Sequence, residues 1–326
     1  MRRAAAALVA AALLLVAAGC GDEQVTDGAA TTVAPGGSAP PSTTTPPSTA
    51  PPTTTTAPPE PAVLLAAGDV ASCASDGDEA TGALLDELPG TVAALGDLAY
   101  DRGTRQEWAD CFGPSWGRHT DRIRPVPGNH DYGTDDGAPY FEHFGAAAGS
   151  PGQGWYAYDL GSWRVIALNS VCWAVGGCGP GSPQDAWLRG ELARHADRPC
   201  TLAYFHHAPF SSGRLHGGEP TVRPLVEALY DGGVDVVLTG HEHHYERFGR
   251  LDPSGGLDEV RGIRHFVVGT GGNRLYALDD PHPSSEARFA DGYGLLRLEL
   301  GAGEYAWRFV GVPGVAFTDA GAEPCH

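Results

Sequence analysis

Short apolar runs that end in polar residues recur along residues 62–326. The clearest examples are "AVLLAAGD", "TVAALGD", "IRPVPGNH", "TLAYFHH" and "VDVVLTGHEH". Apolar runs of this length, bounded by glycine or proline, are typical of buried β-strands. Further strands are predicted at "SWRVIALNS", "IRHFVVGTGG", "GLLRLEL" and "YAWRFVGV".

Helical patterns lie between several of these strands. They are "EATGALLDELPG", "SPQDAWLRGELARHA" and "TVRPLVEALYDGG". Ser182 and Pro183 make a good helix start, with serine as the cap and proline at the first helical position. Strands that alternate with helices predict an α/β fold. The number of strands indicates two packed mixed sheets with helices outside them.

The first residues are typical of an export signal. "MRR" is basic, and residues 4–18 form an apolar run that is too short to span a bilayer comfortably. Residues 1–19 are therefore interpreted as a signal peptide. The run ends in "VAAGC", which resembles a bacterial lipoprotein cleavage site with Cys20 as the lipidated residue, although Ala17 stands where leucine is usual. The alternatives are a lipid anchor on the outer face of the membrane and simple secretion.

Residues 20–61 are rich in threonine and proline, as in "PPSTTTPPSTAPPTTTTAPPEP". Such a segment buries too little apolar area to offset the entropy of ordering it. It is interpreted as a disordered, extended spacer. Residues 62–326 are then expected to form one catalytic domain.

Charge and cysteine content narrow the function classes. The formal net charge is −19, and every basic residue is an arginine, which argues against a nucleic-acid surface. Besides Cys20, the exported chain would carry an even number of cysteines, which suggests disulfides. Cys172 and Cys178 flank the short loop "WAVGG" and are the favoured pair. No cysteine pair has the spacing of a zinc ribbon.

Metal-ligand side chains follow the predicted strands. Functional groups gather at the carboxyl ends of strands in open α/β sheets. The candidates at these positions are Asp69, Asp97, Asn129, His206 or His207, His241 and His243. Carboxylates, an amide oxygen and imidazoles together suit iron, zinc or manganese. They are too many for one tetrahedral ion. Two ions that share a carboxylate resolve the excess, and such pairs hydrolyse phosphate esters.

Five motifs occur in a fixed order: "GDV" at 68–70, "GDLAY" at 96–100, "GNHD" at 128–131, "FHH" at 205–207 and "GHEH" at 240–243. This series resembles the calcineurin-like metallophosphoesterase superfamily, and "GDLAY" with "GHEHHYER" resembles its purple acid phosphatases. The resemblance implies an α/β/β/α sandwich. The two-domain plant enzymes carry a further domain before the catalytic one, and this chain is expected to be a single-domain relative.

The resemblance also implies a role for each matched position. Asp69, Tyr100 and His243 would hold a ferric ion, and Asp97 would bridge to a second, divalent ion of iron, zinc or manganese. Asn129, His206 and His241 would hold that second ion. His206 and His207 point to opposite faces of a strand, so only one can face the metals. The family pattern favours His206, and His207 is expected to hydrogen-bond a backbone carbonyl or to orient a ligand.

Two further histidines are candidate catalytic residues. His130 is expected to point at the substrate and to stabilise the phosphate or donate a proton to the leaving alkoxide. Asp131 is expected to orient or charge the His130 imidazole. His216, in the Gly- and Ser-rich "FSSGRLHGGE", is the second candidate because relatives often place a substrate-binding histidine in this loop.

The function expected from these features is phosphomonoester hydrolysis at the cell surface. A metal-bound hydroxide would attack phosphorus in a small-molecule ester, with His130 or His216 assisting departure. The alternative is a phosphodiesterase or nucleotidase with the same metals. A surface binding protein without catalysis is a third possibility, and the complete set of ligands argues against it.

Overall fold

The computed structural model describes residues 60–326. The predicted signal peptide, the Cys20 anchor and nearly all of the predicted spacer lie outside the described residues. None of the helices in the described part is both long enough and apolar enough to cross a membrane.

Residues 60–326 contain fifteen strands and five α-helices. The strands are β1 (Ala62–Ala67), β2 (Ala71–Ser72), β3 (Thr91–Ala94), β4 (Ala99–Tyr100), β5 (Ile123–Pro125), β6 (Tyr156–Leu160), β7 (Trp163–Ala167), β8 (Thr201–His207), β9 (Val236–Gly240), β10 (Tyr245–Leu251), β11 (Ile263–Val268), β12 (Ser285–Phe289), β13 (Gly294–Leu300), β14 (Glu304–Gly311) and β15 (Ala320–Pro324). The helices are α1 (Gly77–Glu87), α2 (Arg105–Glu107), α3 (Ala138–Phe144), α4 (Pro183–Arg194) and α5 (Arg223–Asp231). Shorter helical segments are the π turn Trp108–Phe112 and the 3-10 turns Trp116–Arg122, Asp135–Gly137, Gly145–Ala148, Cys172–Ala174 and Pro220–Val222.

Two large mixed sheets form the centre of the fold. The first has the strand order β15-β14-β13-β1-β3-β5, and the second has the order β12-β10-β11-β9-β8-β7-β6. Strands β1, β3 and β5 run parallel to one another, as do β7, β8, β9 and β11. A small sheet pairs β2 with β4 in parallel. The prediction of two mixed sheets is confirmed.

The two largest apolar clusters of the described residues define four layers, and a third, small cluster contains Ala208, Phe248, Leu251 and Val267. One cluster joins side chains of both sheets with helix α1, for example Leu65, Leu85 and Leu202. A second cluster packs the other face of the second sheet against α4 and α5, as with Leu188 and Leu225. The order is therefore helix, sheet, sheet, helices. Ser182 caps α4 as expected, because its side chain accepts a hydrogen bond from the Asp185 backbone N–H.

Strand β8 shows how side-chain alternation separates two adjacent histidines. Leu202 and Tyr204 belong to the cluster between the sheets. Ala203 and Phe205 belong to the cluster under α4 and α5. Since successive side chains alternate across a strand, His206 continues the row that faces the other sheet. His207 continues the outer row.

The described residues contain three disulfides, one within a short loop and two between segments further apart in sequence. Cys172 pairs with Cys178, with their Cα atoms 5.2 Å apart, as predicted. Cys73 pairs with Cys111, which joins the loop after β2 to the π turn. Cys200 pairs with Cys325 across 125 positions and ties the C-terminal segment to the start of β8.

Candidate metal centre

The predicted ligands lie where the carboxyl ends of the two sheets meet. Asp69 follows β1, Asp97 follows β3 and Asn129 follows β5 on the first sheet. His206 is the second-to-last residue of β8, and His241 follows β9 on the second sheet. Because the parallel strands of each sheet point the same way, their loops converge at this shared edge.

Three of these residues adopt a backbone conformation that side chains other than glycine rarely take. The φ angles are 61° at Asp69, 53° at Asp97 and 70° at His241. Each left-handed residue of this kind costs roughly 1–3 kcal/mol and persists only where the surroundings enforce it. Each also follows a glycine. A Cβ on Gly240 would lie 2.7 Å from Oδ2 of Asp69, so the glycine allows the two loops to approach. Strain at three predicted ligands marks this edge as a functional site.

One half of the cluster is centred on Tyr100. Its hydroxyl oxygen lies 2.9 Å from Oδ1 of Asp69, 3.1 Å from Oδ2 of Asp97 and 3.1 Å from Nε2 of His243. Nε2 of His243 is also 3.3 Å from Oδ1 of Asp69. All four side chains are buried. Three oxygen atoms and one nitrogen atom of predicted ligands therefore lie close together.

The other half contains two imidazoles and an amide. Nε2 of His206 lies 3.1 Å from Oδ2 of Asp97 and 3.2 Å from Nδ1 of His241. The ligand atoms of Asp97, His206 and His241 all lie within 4.8 Å of one another. Oδ1 of Asn129 is buried without a hydrogen-bond partner among the described residues. An unsatisfied buried amide oxygen needs a partner, and a cation would supply one.

Asp97 belongs to both halves. Its Oδ2 atom contacts the Tyr100 hydroxyl on one side and the His206 ring on the other. Its Oδ1 atom accepts a hydrogen bond from the His130 backbone N–H at 2.8 Å. Asp69 also reaches the other half, where its Oδ2 atom accepts a hydrogen bond from the His241 backbone N–H at 2.8 Å. In Asp97, by contrast, a single carboxylate oxygen contacts predicted ligand side chains of both halves.

Backbone carbonyls orient two of the imidazoles. Nδ1 of His206 is 2.8 Å from the Leu95 carbonyl oxygen, and Nδ1 of His243 is 2.6 Å from the Arg274 carbonyl oxygen. In each ring Nδ1–H donates to the carbonyl, so Nε2 keeps its lone pair for a metal. This is the usual arrangement of metal-binding histidines.

The charges in the cluster also favour a bound cation. Burial opposes ionisation of Asp97, but His206, His130 and His241 outweigh burial and lower the pKa of its carboxyl. Burial likewise disfavours a charged His206, but Asp97 raises the pKa of this imidazole to about 9. The Asp97 carboxylate is therefore stabilised by a nearby positive charge. In the metal-free cluster the proton on His206 supplies that charge, and bound metal ions would replace it. The donor set fits two such ions.

His130 and His216 flank the cluster on its open side. The His130 ring lies 4.6 Å from the Tyr100 ring between centroids, and its Nε2 is 4.0 Å from Oδ2 of Asp97. The His216 ring stacks on His241 with a centroid distance of 4.5 Å. Both side chains are more than a third exposed. Both are thus placed to contact a substrate held at the cluster.

One sequence-based expectation about a neighbour of these residues is wrong. Asp131 does not serve the His130 imidazole: its carboxylate accepts hydrogen bonds from the backbone N–H groups of Asp97, Leu98 and Gly128 at 2.8–3.0 Å. It therefore fastens the β5 loop to the β3 loop. His207 was expected to hydrogen-bond a backbone carbonyl or to orient a ligand. Its Nδ1 atom lies 2.8 Å from the Ser170 hydroxyl, and its ring lies 4.5 Å from the ring of the predicted ligand His241 between centroids, which agrees with the second alternative.

The segment after β11 was missed by the sequence reasoning. The Tyr276 ring stacks on the His243 ring with a centroid distance of 3.8 Å and an interplanar angle of 11°. The Asn273 backbone N–H donates to the Asp69 carbonyl oxygen at 2.8 Å. The signal was present, because "VVGTGGNRLY" is another apolar run that ends in glycines and polar residues.

A family model for calcineurin-like phosphoesterases matches residues 57–245. The chain belongs to this family. Among curated proteins it is 29% identical to purple acid phosphatase 18 of Arabidopsis thaliana over 229 residues, which cover 62% of this chain and 49% of that protein. It is 30% identical to phosphoenolpyruvate phosphatase of Allium cepa over 251 residues, which cover 64% of this chain and 49% of that protein.

A solved structure shares the fold. The purple acid phosphatase from yellow lupin seeds aligns with a TM-score of 0.69 at 19% identity, covering 81% of this chain and 55% of that chain. Together with the curated relatives, this places the chain in the purple acid phosphatase-like branch of the family. The chain spans about half the length of the curated relatives that it matches.

Proposed function

We propose that this protein is an exported phosphoesterase with a two-metal centre that hydrolyses phosphomonoesters. The observation that carries the proposal is the position of Asp97, one oxygen of which contacts both halves of the ligand cluster. The relatives named as acid phosphatase and phosphoenolpyruvate phosphatase support a monoester substrate.

The proposed metals are Fe(III), held by Asp69, Tyr100 and His243, and a divalent ion, held by Asn129, His206 and His241. When bound, the two ions would supply Lewis acidity and a water-derived nucleophile for attack on phosphorus. His130 then hydrogen-bonds the phosphoryl group and donates a proton to the leaving oxygen from its Nε2. The Asp101 carbonyl, 2.5 Å from Nδ1, accepts the other ring N–H and fixes the orientation of the ring. His216 contacts the substrate from the opposite side.

The test is turnover of p-nitrophenyl phosphate by the purified protein, together with elemental analysis. We expect two ions per chain and a rate that chelation abolishes. A protein that binds no metal and has no turnover would instead support a surface binding function. Comparison with bis(p-nitrophenyl) phosphate separates monoester from diester hydrolysis.

Export is part of the proposal. Three disulfides among the described residues support an oxidising compartment. Attachment through lipidated Cys20 would hold the enzyme at the outer face of the membrane. Labelling cells with radioactive palmitate tests the anchor: the label should be lost in Cys20→Ala, and an unlabelled native chain would favour simple secretion.

A further inference from the structure

An open cleft of about 620 Å³ adjoins the Tyr100 side of the candidate metal centre. Its lining includes Ser75, Tyr100, Asp101, His130, Arg274 and Tyr276. Tyr100 belongs to the ligand cluster, and His130 is the proposed proton donor to the leaving oxygen. A phosphoryl group held at the cluster would therefore direct its leaving group into this cleft.

We propose that the cleft is the leaving-group site and that Arg274 selects leaving groups with an anionic substituent. This inference rests on the proposed function, because it assumes that a phosphoryl group binds at the cluster. The substituent would be a carboxylate or a second phosphate, both of which match the planar fork of a guanidinium.

The position of Arg274 relates it directly to the cluster. Its Cζ atom lies 5.7 Å from the centroid of the Tyr276 ring. That ring in turn stacks on His243. The guanidinium therefore lies one aromatic ring away from a predicted metal ligand.

The surroundings of Arg274 leave its charge available. It is exposed, and no carboxylate of the described residues lies within ion-pair distance of it. Arg247 and Arg264, by contrast, form ion pairs with Asp319 and Glu323. In a chain with a formal net charge of −19, an unpaired arginine beside a phosphate site attracts anions that the rest of the surface repels.

Asp101 provides an internal check because it lines the same cleft. Its carboxylate would oppose the binding of an anion that Arg274 favours. Asp101→Asn should therefore raise kcat/KM for anionic substrates, whereas Arg274→Gln should lower it. Both changes alter a single charge and leave the predicted ligands in place.

The experiment compares matched substrates on the metal-loaded enzyme. Glycerol 3-phosphate and 3-phosphoglycerate differ only by a hydroxymethyl group in place of a carboxylate, and glycerol 1,3-bisphosphate adds the second phosphate. In Arg274→Gln we expect kcat/KM to fall about tenfold or more for the two anionic substrates, as for loss of a hydrogen bond to a charged group. Glycerol 3-phosphate and p-nitrophenyl phosphate should be affected less than about twofold. The size of each anionic effect shows whether carboxylate or phosphate is preferred.

Arg308→Gln is the control, since Arg308 is exposed on β14 of the first sheet and does not line the cleft. Arg308→Gln should leave kcat/KM for the anionic substrates, relative to that for glycerol 3-phosphate, unchanged. An unchanged preference in Arg274→Gln, or an equal loss on all substrates, would overturn the selectivity role.

A binding measurement keeps the inference separate from the proposed function. Calorimetric titration of 4-phosphonobutyrate and butylphosphonate requires no turnover. We expect Arg274→Gln to weaken only the carboxylated phosphonate. If the enzyme fails to hydrolyse any monoester and this difference remains, the proposed function falls and the anion site stands. If the enzyme hydrolyses monoesters but Arg274→Gln binds both phosphonates as the native protein does, the proposed function stands and the anion site falls.

Discussion

Asp97 is the residue on which both halves of the candidate metal centre depend. It is buried, its backbone has a left-handed φ of 53°, and its Oδ2 atom faces both Tyr100 and His206. The backbone N–H of Asp97 is in turn held by Asp131. The site therefore fixes this one carboxylate through its main chain before any ion binds.

We predict that Asp97→Asn removes both ions and abolishes turnover. An amide offers one neutral oxygen where two cations need a shared charge. Elemental analysis and p-nitrophenyl phosphate hydrolysis measure the two effects, and Asp121→Asn, at an exposed position, is the control. A variant that still contains two ions and hydrolyses the substrate would reject the bridging role.

His130→Ala should keep both ions and slow hydrolysis most for poor leaving groups. The His130 side chain contacts the cluster from its exposed side, so its loss leaves the ligands intact. General acid catalysis typically contributes about 10²–10⁴ in rate. We expect a loss of about 10² or more on alkyl phosphates and a much smaller loss on p-nitrophenyl phosphate. Equal losses on both would exclude proton donation by His130.

Tyr100→Phe should remove a violet absorption band from the iron-loaded protein. Burial, with Asp69 and Asp97, raises the pKa of the Tyr100 phenol well above its usual range. Only a strongly charged cation would ionise it at neutral pH, which favours Fe(III) at this position. The visible spectrum and the iron content of both proteins are the measurements. A native protein that contains iron and lacks the band would contradict phenolate ligation.

At this scale the sequence predicted most of the cluster, because the predicted ligands other than Tyr100 lie at or just after the end of an apolar run that is easy to recognise. Tyr100 was expected only from the resemblance of "GDLAY" to the purple acid phosphatases. The preference for His206 over His207 agrees with the alternation of β8. The structural role of Asp131 could not be predicted from the residues next to it in the sequence, because its carboxylate accepts hydrogen bonds from backbone N–H groups of another loop. Arg274 and Tyr276 were missed because stacking on His243 depends on how two loops meet.

At the scale of elements, apolar strands were predicted and polar ones were not. Strands β10, β12 and β15 carry charged or small residues, and their pairing is set by neighbours in the sheet. Arg247 on β10 binds Asp319, just before β15, at 2.8 Å, and its Cζ atom lies 5.0 Å from the Trp307 ring. This contact gives Arg247 a structural role that no strand pattern in the sequence predicted.

The disulfides should differ in their contribution to stability. The Cys200–Cys325 bond closes a loop of 125 positions, whereas Cys172–Cys178 closes one of 6. In the chain-entropy model the longer loop stabilises by about 2.5 kcal/mol more, because it restricts the unfolded chain more. Replacing each pair by alanine and measuring unfolding in denaturant tests this. A larger loss for the short loop would show that local geometry outweighs chain entropy.

At the scale of the whole molecule, the candidate centre joins two sheets. Asp69, Asp97 and Asn129 belong to loops of the first sheet, and His206 and His241 belong to the second. The sequence predicted two sheets from the number of strands, but strand order and pairing follow from contacts distant in sequence. The motifs carried information about this assembly, because their residues come together only when both sheets are packed against each other.

Metal removal should therefore destabilise the whole domain. Ions that bind the folded state and not the unfolded one stabilise it by mass action, by about 2.7 kcal/mol per site at one hundred times the dissociation constant. They would also satisfy the buried Asn129 oxygen and balance the carboxylates that raise the pKa of His206. We expect a chelator to lower Tm by several degrees and added metal to restore it. The Tm of Asp97→Asn should change little with chelator or with added metal. If the Tm of the native protein is unchanged after the chelator has removed the ions, the two sheets pack equally well without them.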